Sequence, residues 1–140
     1  MDFPLESIHN KAFKAAEATH CAQDQGKFWE MHARLFTNQQ ALEPSKAHAE
    51  AIGLDVAKFE ECMSSGKHAP DIRKELAEGA KAGVTGTPSS VLGLTDPKDP
   101  KKVKGLAFIR GAQPFDGFKT EIEKGLAGLA PAPGAPPPAK

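Results

Sequence analysis

The chain contains no tyrosine, one tryptophan, three methionines and only two cysteines, Cys21 and Cys62, in 140 residues. Two cysteines permit at most one internal disulfide and exclude a four-cysteine zinc site. No Cys-x-x-Cys pair occurs anywhere in the sequence. Charge of one sign is also missing, since 18 Lys+Arg stand against 18 Asp+Glu. A broad nucleic-acid surface or a polybasic membrane surface needs a clustered positive excess, so neither partner is expected. No apolar run approaches the length of a bilayer span, and no basic segment followed by an apolar one opens the chain. A membrane span and an export signal are therefore not expected. The length suits one domain with a real core and is too short for two ordinary ones.

What is present falls into a simple order of a strand stub, a helical block, a hairpin and a helix. Asp2-Phe3-Pro4-Leu5 reads as a short strand whose proline bars it from a regular central ladder. Asn10 is placed to cap a helix carrying Phe13, Ala16, Ala18 and Cys21, which Gly26 stops. A second helix starts near Lys27, with Phe28, Met31, Leu35 and Phe36 at helical spacing and Trp29 beside them. Pro44 suits the first turn of a third helix ending at Gly53. Asp55 caps a fourth, with Val56, Phe59, Cys62 and Met63 on one face and Gly66 closing it. Pro70 opens a fifth, with Ile72, Leu76 and Ala80 inward and Gly83 at its exit.

After Gly83 the texture changes. Val84-Thr85-Gly86-Thr87-Pro88 is β-branched and turn-like, and Val91-Leu92 begins a strand. A polar loop from Thr95 to Lys104 separates it from the apolar stretch Leu106-Ala107-Phe108-Ile109, which together predict a hairpin. Pro114 opens a last helix with Phe115, Phe118, Ile122 and Leu126 on one face. From Ala130 to Lys140 only Ala, Pro, Gly and a terminal Lys occur, and residues 130–140 are expected to form a disordered, solvated tail.

Three stretches carry a family resemblance. They are Asp2-Phe3-Pro4-Leu5 with His9 close behind, Gln25-Gly26-Lys27-Phe28-Trp29-Glu30-Met31-His32 with Leu35-Phe36, and Gly83-Val84-Thr85-Gly86-Thr87-Pro88 trailed by Ile109-Arg110-Gly111-Ala112-Gln113-Pro114. In their order and spacing they resemble the DsbA-like branch of the thioredoxin superfamily, from about Asp2 to Leu126. The resemblance implies a helix-rich α/β (α+β-like) protein with an incomplete thioredoxin-like fold and a DsbA-type helical insertion domain. Residues 1–9 would be the strand stub of the thioredoxin-like part, 10–83 the helical insertion, and 84–129 the cis-proline loop, hairpin and final helix. It further implies that Thr87-Pro88 is a cis-proline loop that holds a substrate peptide or protein in extended form. The polar pair Ser89-Ser90 replaces the aromatic or aliphatic residues that the family pattern leads one to expect there.

The redox pair of that family is absent, and the strand and helix that carry it would precede Asp2. The chain thus resembles the C-terminal portion of the family unit and is expected to be redox-inactive alone. Disulfide exchange needs an exposed thiolate at a helix N-terminus, whereas Cys21 and Cys62 both lie late in their predicted helices. No catalytic residue is assigned. For these two cysteines, buried free thiols and a structural Cys21–Cys62 disulfide both stay open, some relatives having an extra disulfide in the insertion domain. Closing a loop of about forty residues would stabilise by roughly 3–4 kcal/mol. The histidines His9, His20, His32, His48 and His68 show no i, i+4 pairing, so neither a metal site nor a cofactor is expected.

Two other functions fit the same residues. One is a non-redox peptide-binding or assembly module that uses the cis-proline loop and exposed strand edges. The other is the glutathione-dependent isomerase or transferase branch of the same fold, which usually places a serine at the first redox position. Strand edges and apolar surface left without partners predict a homo-oligomer. A periplasmic or extracytoplasmic location is implied only by the resemblance.

Overall fold

The computed structural model describes residues 1–41 and 46–128. Pro44 and the Ala130–Lys140 tail lie outside them, and so do the expectations attached to both. The chain divides into two compact units, Met1–Thr85 and Gly86–Lys140. The fold is a helix-rich α/β arrangement, with six α-helices and one two-stranded sheet among the described residues.

The first unit is helical: α1 (Ala12–Gln23), α2 (Phe28–Thr37), a 3-10 turn (Gln39–Ala41), α3 (Lys46–Ala51), α4 (Val56–Ser65) and α5 (Ala69–Lys81). Small residues make its core possible. Ala18, Cys21 and Ala22 on α1 are buried together with Met31 and Leu35 of α2, Ala49 of α3, Leu54 and Phe59. Burying a side chain as large as Phe59 favours folding by about 1.5–3 kcal/mol. The Gln25 side chain fastens the α1–α2 turn to the start of α4, accepting from Asp55 N at 2.8 Å and donating to Asp55 O at 3.2 Å.

Asp55 caps α4 by accepting from Lys58 N at 3.2 Å, and Gly66 closes that helix in the left-handed conformation at φ 63°. Elsewhere the helix limits shift. Position Lys11, not Asn10, precedes α1, and no side chain caps it. On α5 Gly79 is buried and Ala80 is exposed, because the Phe3 ring occupies the space where a Cβ on Gly79 would go.

Asp2–Leu5 forms no strand. The chain turns at once, with Glu6 N bonding Pro4 O at 3.0 Å and His9 N bonding Leu5 O at 2.9 Å. Side chains hold the segment instead of a ladder. Asp2 N donates to Glu75, Asp2 Oδ2 is hydrogen-bonded to His20 Nε2 at 2.7 Å, and Arg73 pairs with Glu6.

In the second unit β1 (Ser89–Asp96) and β2 (Asp99–Arg110) form an antiparallel hairpin, followed by α6 (Phe115–Ala127). The expected polar loop from Thr95 to Lys104 shrinks to a turn at Pro97-Lys98. Lys98 N and Lys101 N bond to the Asp96 and Asp99 carboxylates at 2.8 and 3.2 Å, which lets pairing continue up to Asp96 and Asp99. The ladder slips at Leu92/Gly93, opposite Gly105. A Cβ on Gly93 would run into the Val103 side chain and lie 3.0 Å from the Lys104 carbonyl oxygen. Helix α6 approaches the sheet through Gly125, where a Cβ would meet Leu92 at 3.1 Å and Leu106 at 3.4 Å. Its anticipated inward face is only partly covered, since Phe115, Ile122 and Leu126 are exposed.

Two outcomes follow from these elements. Gly93→Ala should cost the hairpin about 1–3 kcal/mol, because the Lys104 backbone has no side-chain freedom with which to yield. Loss of dispersed amide shifts for residues 89–110 in an NMR spectrum would show it. The second concerns acid. The Lys58 backbone N–H, then the Lys58 side chain, hold the Asp55 carboxyl below its ordinary 3.8. Its contribution is present above that ordinary value and disappears as pH falls through the lower folded value. Urea unfolding between neutral pH and about pH 3 should be less acid-sensitive in Asp55→Asn than in the wild type.

Candidate functional site

Two places bear chemistry, one in each unit. In the second unit Thr87 and Pro88 are exposed at the start of β1, and the peptide bond between them is cis. Gly111 N donates to Pro88 O at 2.9 Å, and Ser89 Oγ donates to Gly86 O at 2.6 Å. These bonds tie the loop to the two ends of the hairpin, beside the Ser89–Arg110 pair. Serine at position 89 thus serves the turn rather than an apolar contact. Among the described residues β1 has no neighbour other than β2, so its outer edge presents unpaired backbone groups.

In the first unit Cys21 and Cys62 form a disulfide across α1 and α4, with Cα atoms 5.8 Å apart. Cys21 is buried and Cys62 is half-buried. The bond has polar company that sequence spacing along single helices did not reveal. Asp24 Oδ2 lies 2.8 Å from Lys67 Nζ, 2.9 Å from His68 Nε2 and 3.8 Å from Cys62 Sγ. The Lys67 hydrogen bond first, and the His68 bond next, hold the Asp24 carboxyl below the usual carboxylate range, against the opposing effect of burial. One ring nitrogen of His68 and the two sulfurs all lie within 4.8 Å of one another. Neither Cys21 with Asp24 nor Cys62 with His68 forms a metal-ligand spacing by itself, and only the fold brings the two pairs together.

The same unit carries an open groove of about 710 Å³ between the start of the chain, α1 and α2. The ring of His32 stacks against Phe36 at 4.4 Å and against Phe28 at 6.0 Å along one side of α2. Trp29 stands edge-on to Phe28 and is exposed.

Comparison with known proteins decides the family. Residues 1–123 match the DSBA-like thioredoxin domain. The chain belongs to the DSBA-like thioredoxin domain family. Its curated relatives include the Na(+)/H(+) antiporter NhaA 3 of Salinispora tropica, 36% identical over 88 residues, covering 61% of this chain and 14% of the antiporter. The Na(+)/H(+) antiporter NhaA 1 of Mycolicibacterium gilvum is 48% identical over 61 residues, 42% of this chain and 10% of that protein. The Na(+)/H(+) antiporter NhaA of Herminiimonas arsenicoxydans is 34% identical over 77 residues, 54% of this chain and 12% of the antiporter. The DSBA-like chain therefore corresponds to a small part of each relative's length. No solved structure matches it significantly.

The disulfide should dominate the stability of the helical unit. Cys21 and Cys62 are separated by 41 residues, and removing such a link costs roughly 3–4 kcal/mol under the chain-entropy account. Denaturant unfolding of Cys21→Ser/Cys62→Ser against the wild type, at neutral pH without reductant, measures this difference.

Proposed function

We propose that this chain is a thiol–disulfide oxidoreductase-family protein that binds an extended peptide or protein segment at Thr87-Pro88 and does not turn over dithiols by itself. The carrying observation is the DSBA-like match over residues 1–123 in a sequence without a Cys-x-x-Cys pair. Its two cysteines are bound to each other, and neither stands at the helix N-terminus that a redox thiolate needs, Cys21 lying late in α1 and Cys62 late in α4. The exposed residue Thr87 and the outer edge of β1 suit strand addition, in which main-chain hydrogen bonds supply affinity and side chains select.

The antiporter names belong to proteins of which the shared stretch is 14% or less. Among the described residues no helix is long and apolar enough to cross a membrane, so ion transport gains no support. A disulfide favours an oxidising compartment, in keeping with the family's typically periplasmic setting.

A second reading, self-association, draws on the hairpin and α6. Val91, Val103, Leu106, Ile122 and Leu126 are all exposed in the second unit, and apolar surface of this kind beside an open strand edge favours pairing with another copy.

Insulin reduction by a dithiol should proceed no faster with the wild-type chain than with Cys21→Ser/Cys62→Ser. Turnover that the double variant lacks would sink the redox-inactive reading. An extended peptide should perturb the amides of residues 86–94, and Thr87→Glu should weaken binding by about tenfold, since the new charge must be desolvated beneath the incoming strand. Unperturbed amides at millimolar peptide would remove the binding reading. Light scattering across a concentration series tests self-association, and a mass equal to one chain throughout would dismiss it.

A further inference from the structure

The Cys21–Cys62 bond is surrounded by more polar chemistry than a mechanical cross-link requires. Three donors, the two sulfurs and an imidazole nitrogen of His68, lie within 4.8 Å of one another, and Asp24 Oδ2 stands beside them, 2.9 Å from His68 Nε2 and 3.8 Å from Cys62 Sγ. They come from two firmly held pieces of backbone. Cys21 and Asp24 sit three residues apart at the end of α1, where Asp24 is the C-cap. Cys62 and His68 flank the left-handed Gly66 that turns α4 into α5. Each of the two pieces of backbone thus contributes two of the donors.

We propose that, when the disulfide is reduced, Cys21, Cys62, His68 and Asp24 form a binding site for one zinc ion. The two sulfurs would then alternate between closing a disulfide and holding a metal.

The donor set argues for zinc over harder ions. Two thiolates with an imidazole and a carboxylate make a four-coordinate site of the kind zinc adopts, whereas calcium and magnesium take oxygen ligands. Zinc-ligand bonds of about 2.0–2.3 Å place tetrahedral ligand atoms about 3.2–3.8 Å apart. Asp24 Oδ2 already stands 2.9 Å from His68 Nε2 and 3.8 Å from Cys62 Sγ. An ion inserted between Asp24 and His68 takes the place of the proton they now share. The nearby His20 ring, 5.4 Å from that of His68, is engaged by Asp2 and stays outside the set.

The chemistry balances with a dithiol as reductant. It delivers two electrons to the Cys21–Cys62 bond, which breaks into two thiols, and is itself oxidised to a cyclic disulfide. Zinc then binds both sulfurs as thiolates, and their two protons leave to solvent. The two thiolates and the carboxylate exceed the charge of the ion by one negative unit. The Lys67 ammonium, already on Asp24, offsets it. Access is from the side of Cys62 and His68, which are half-buried, because Cys21 is closed off.

The test uses the full chain, reduced by a dithiol under anaerobic conditions, freed of reductant and dialysed against zinc. Elemental analysis should find one zinc per reduced chain and none on the oxidised chain. Cobalt(II) in place of zinc should give thiolate charge-transfer and tetrahedral d–d bands. Zinc should raise the melting temperature of the reduced chain, and His68→Ala should weaken binding by at least about tenfold. The proposal fails if the reduced chain retains no more zinc than Cys21→Ser/Cys62→Ser. It also fails if His68→Ala and Asp24→Asn bind as tightly as the wild type and zinc leaves helicity and melting temperature unchanged. That pattern would place the metal on an unfolded dithiol.

Discussion

The close approach of α1 to α4 is the constraint on which the helical unit depends. Helix α1 offers Ala18, Cys21 and Ala22 to the interior, so α2 and α4 pack onto it at short range. Phe59 and Met31 then fill the space that those small residues leave, both essentially without solvent contact. A larger residue on α1 would push α4 outward and separate the two cysteines. Packing therefore positions the disulfide, and the disulfide in turn limits how far an unfolded chain can expand.

The two units differ in how they are stabilised. The helical unit has a contiguous core, a covalent link and side-chain bonds that tie its first residues to α1 and α5. Among the described residues of the second unit, Ile109 alone is buried. Its stability rests more on the backbone ladder between β1 and β2, together with close contacts such as Gly125 against Leu92. Few buried apolar contacts make local opening less costly in this unit.

Much of the helical block was legible in the sequence because capping and glycine signals there act locally. Asp55 and Gly66 bound α4 as their chemistry dictates, and Met31 and Leu35 face inward as their spacing implies. The hairpin was harder to read. Prolines and lysines between Thr95 and Lys104 resemble a loop, yet paired aspartates stabilise a tight turn, and Pro100 is tolerated where the strand is just beginning. The segment Asp2–Leu5 misled for the opposite reason, since β-like composition makes no strand without a neighbouring ladder. The cluster around Asp24 was invisible to spacing rules because its members meet only through tertiary packing of α1 against the α4–α5 turn. Family membership, by contrast, was carried by short local stretches such as Gly83–Pro88, and those survive unaltered in a one-dimensional reading.

The ladder of rings along α2 has an optical consequence. With no tyrosine in the sequence, Trp29 is the sole strong near-ultraviolet emitter. It lies exposed beside Phe28 and 5.5 Å from the His32 ring. An imidazole at that range quenches indole emission to a degree that depends on its protonation and orientation. Intrinsic fluorescence in this protein is thus a local gauge of one face of one helix, with no background from the hairpin.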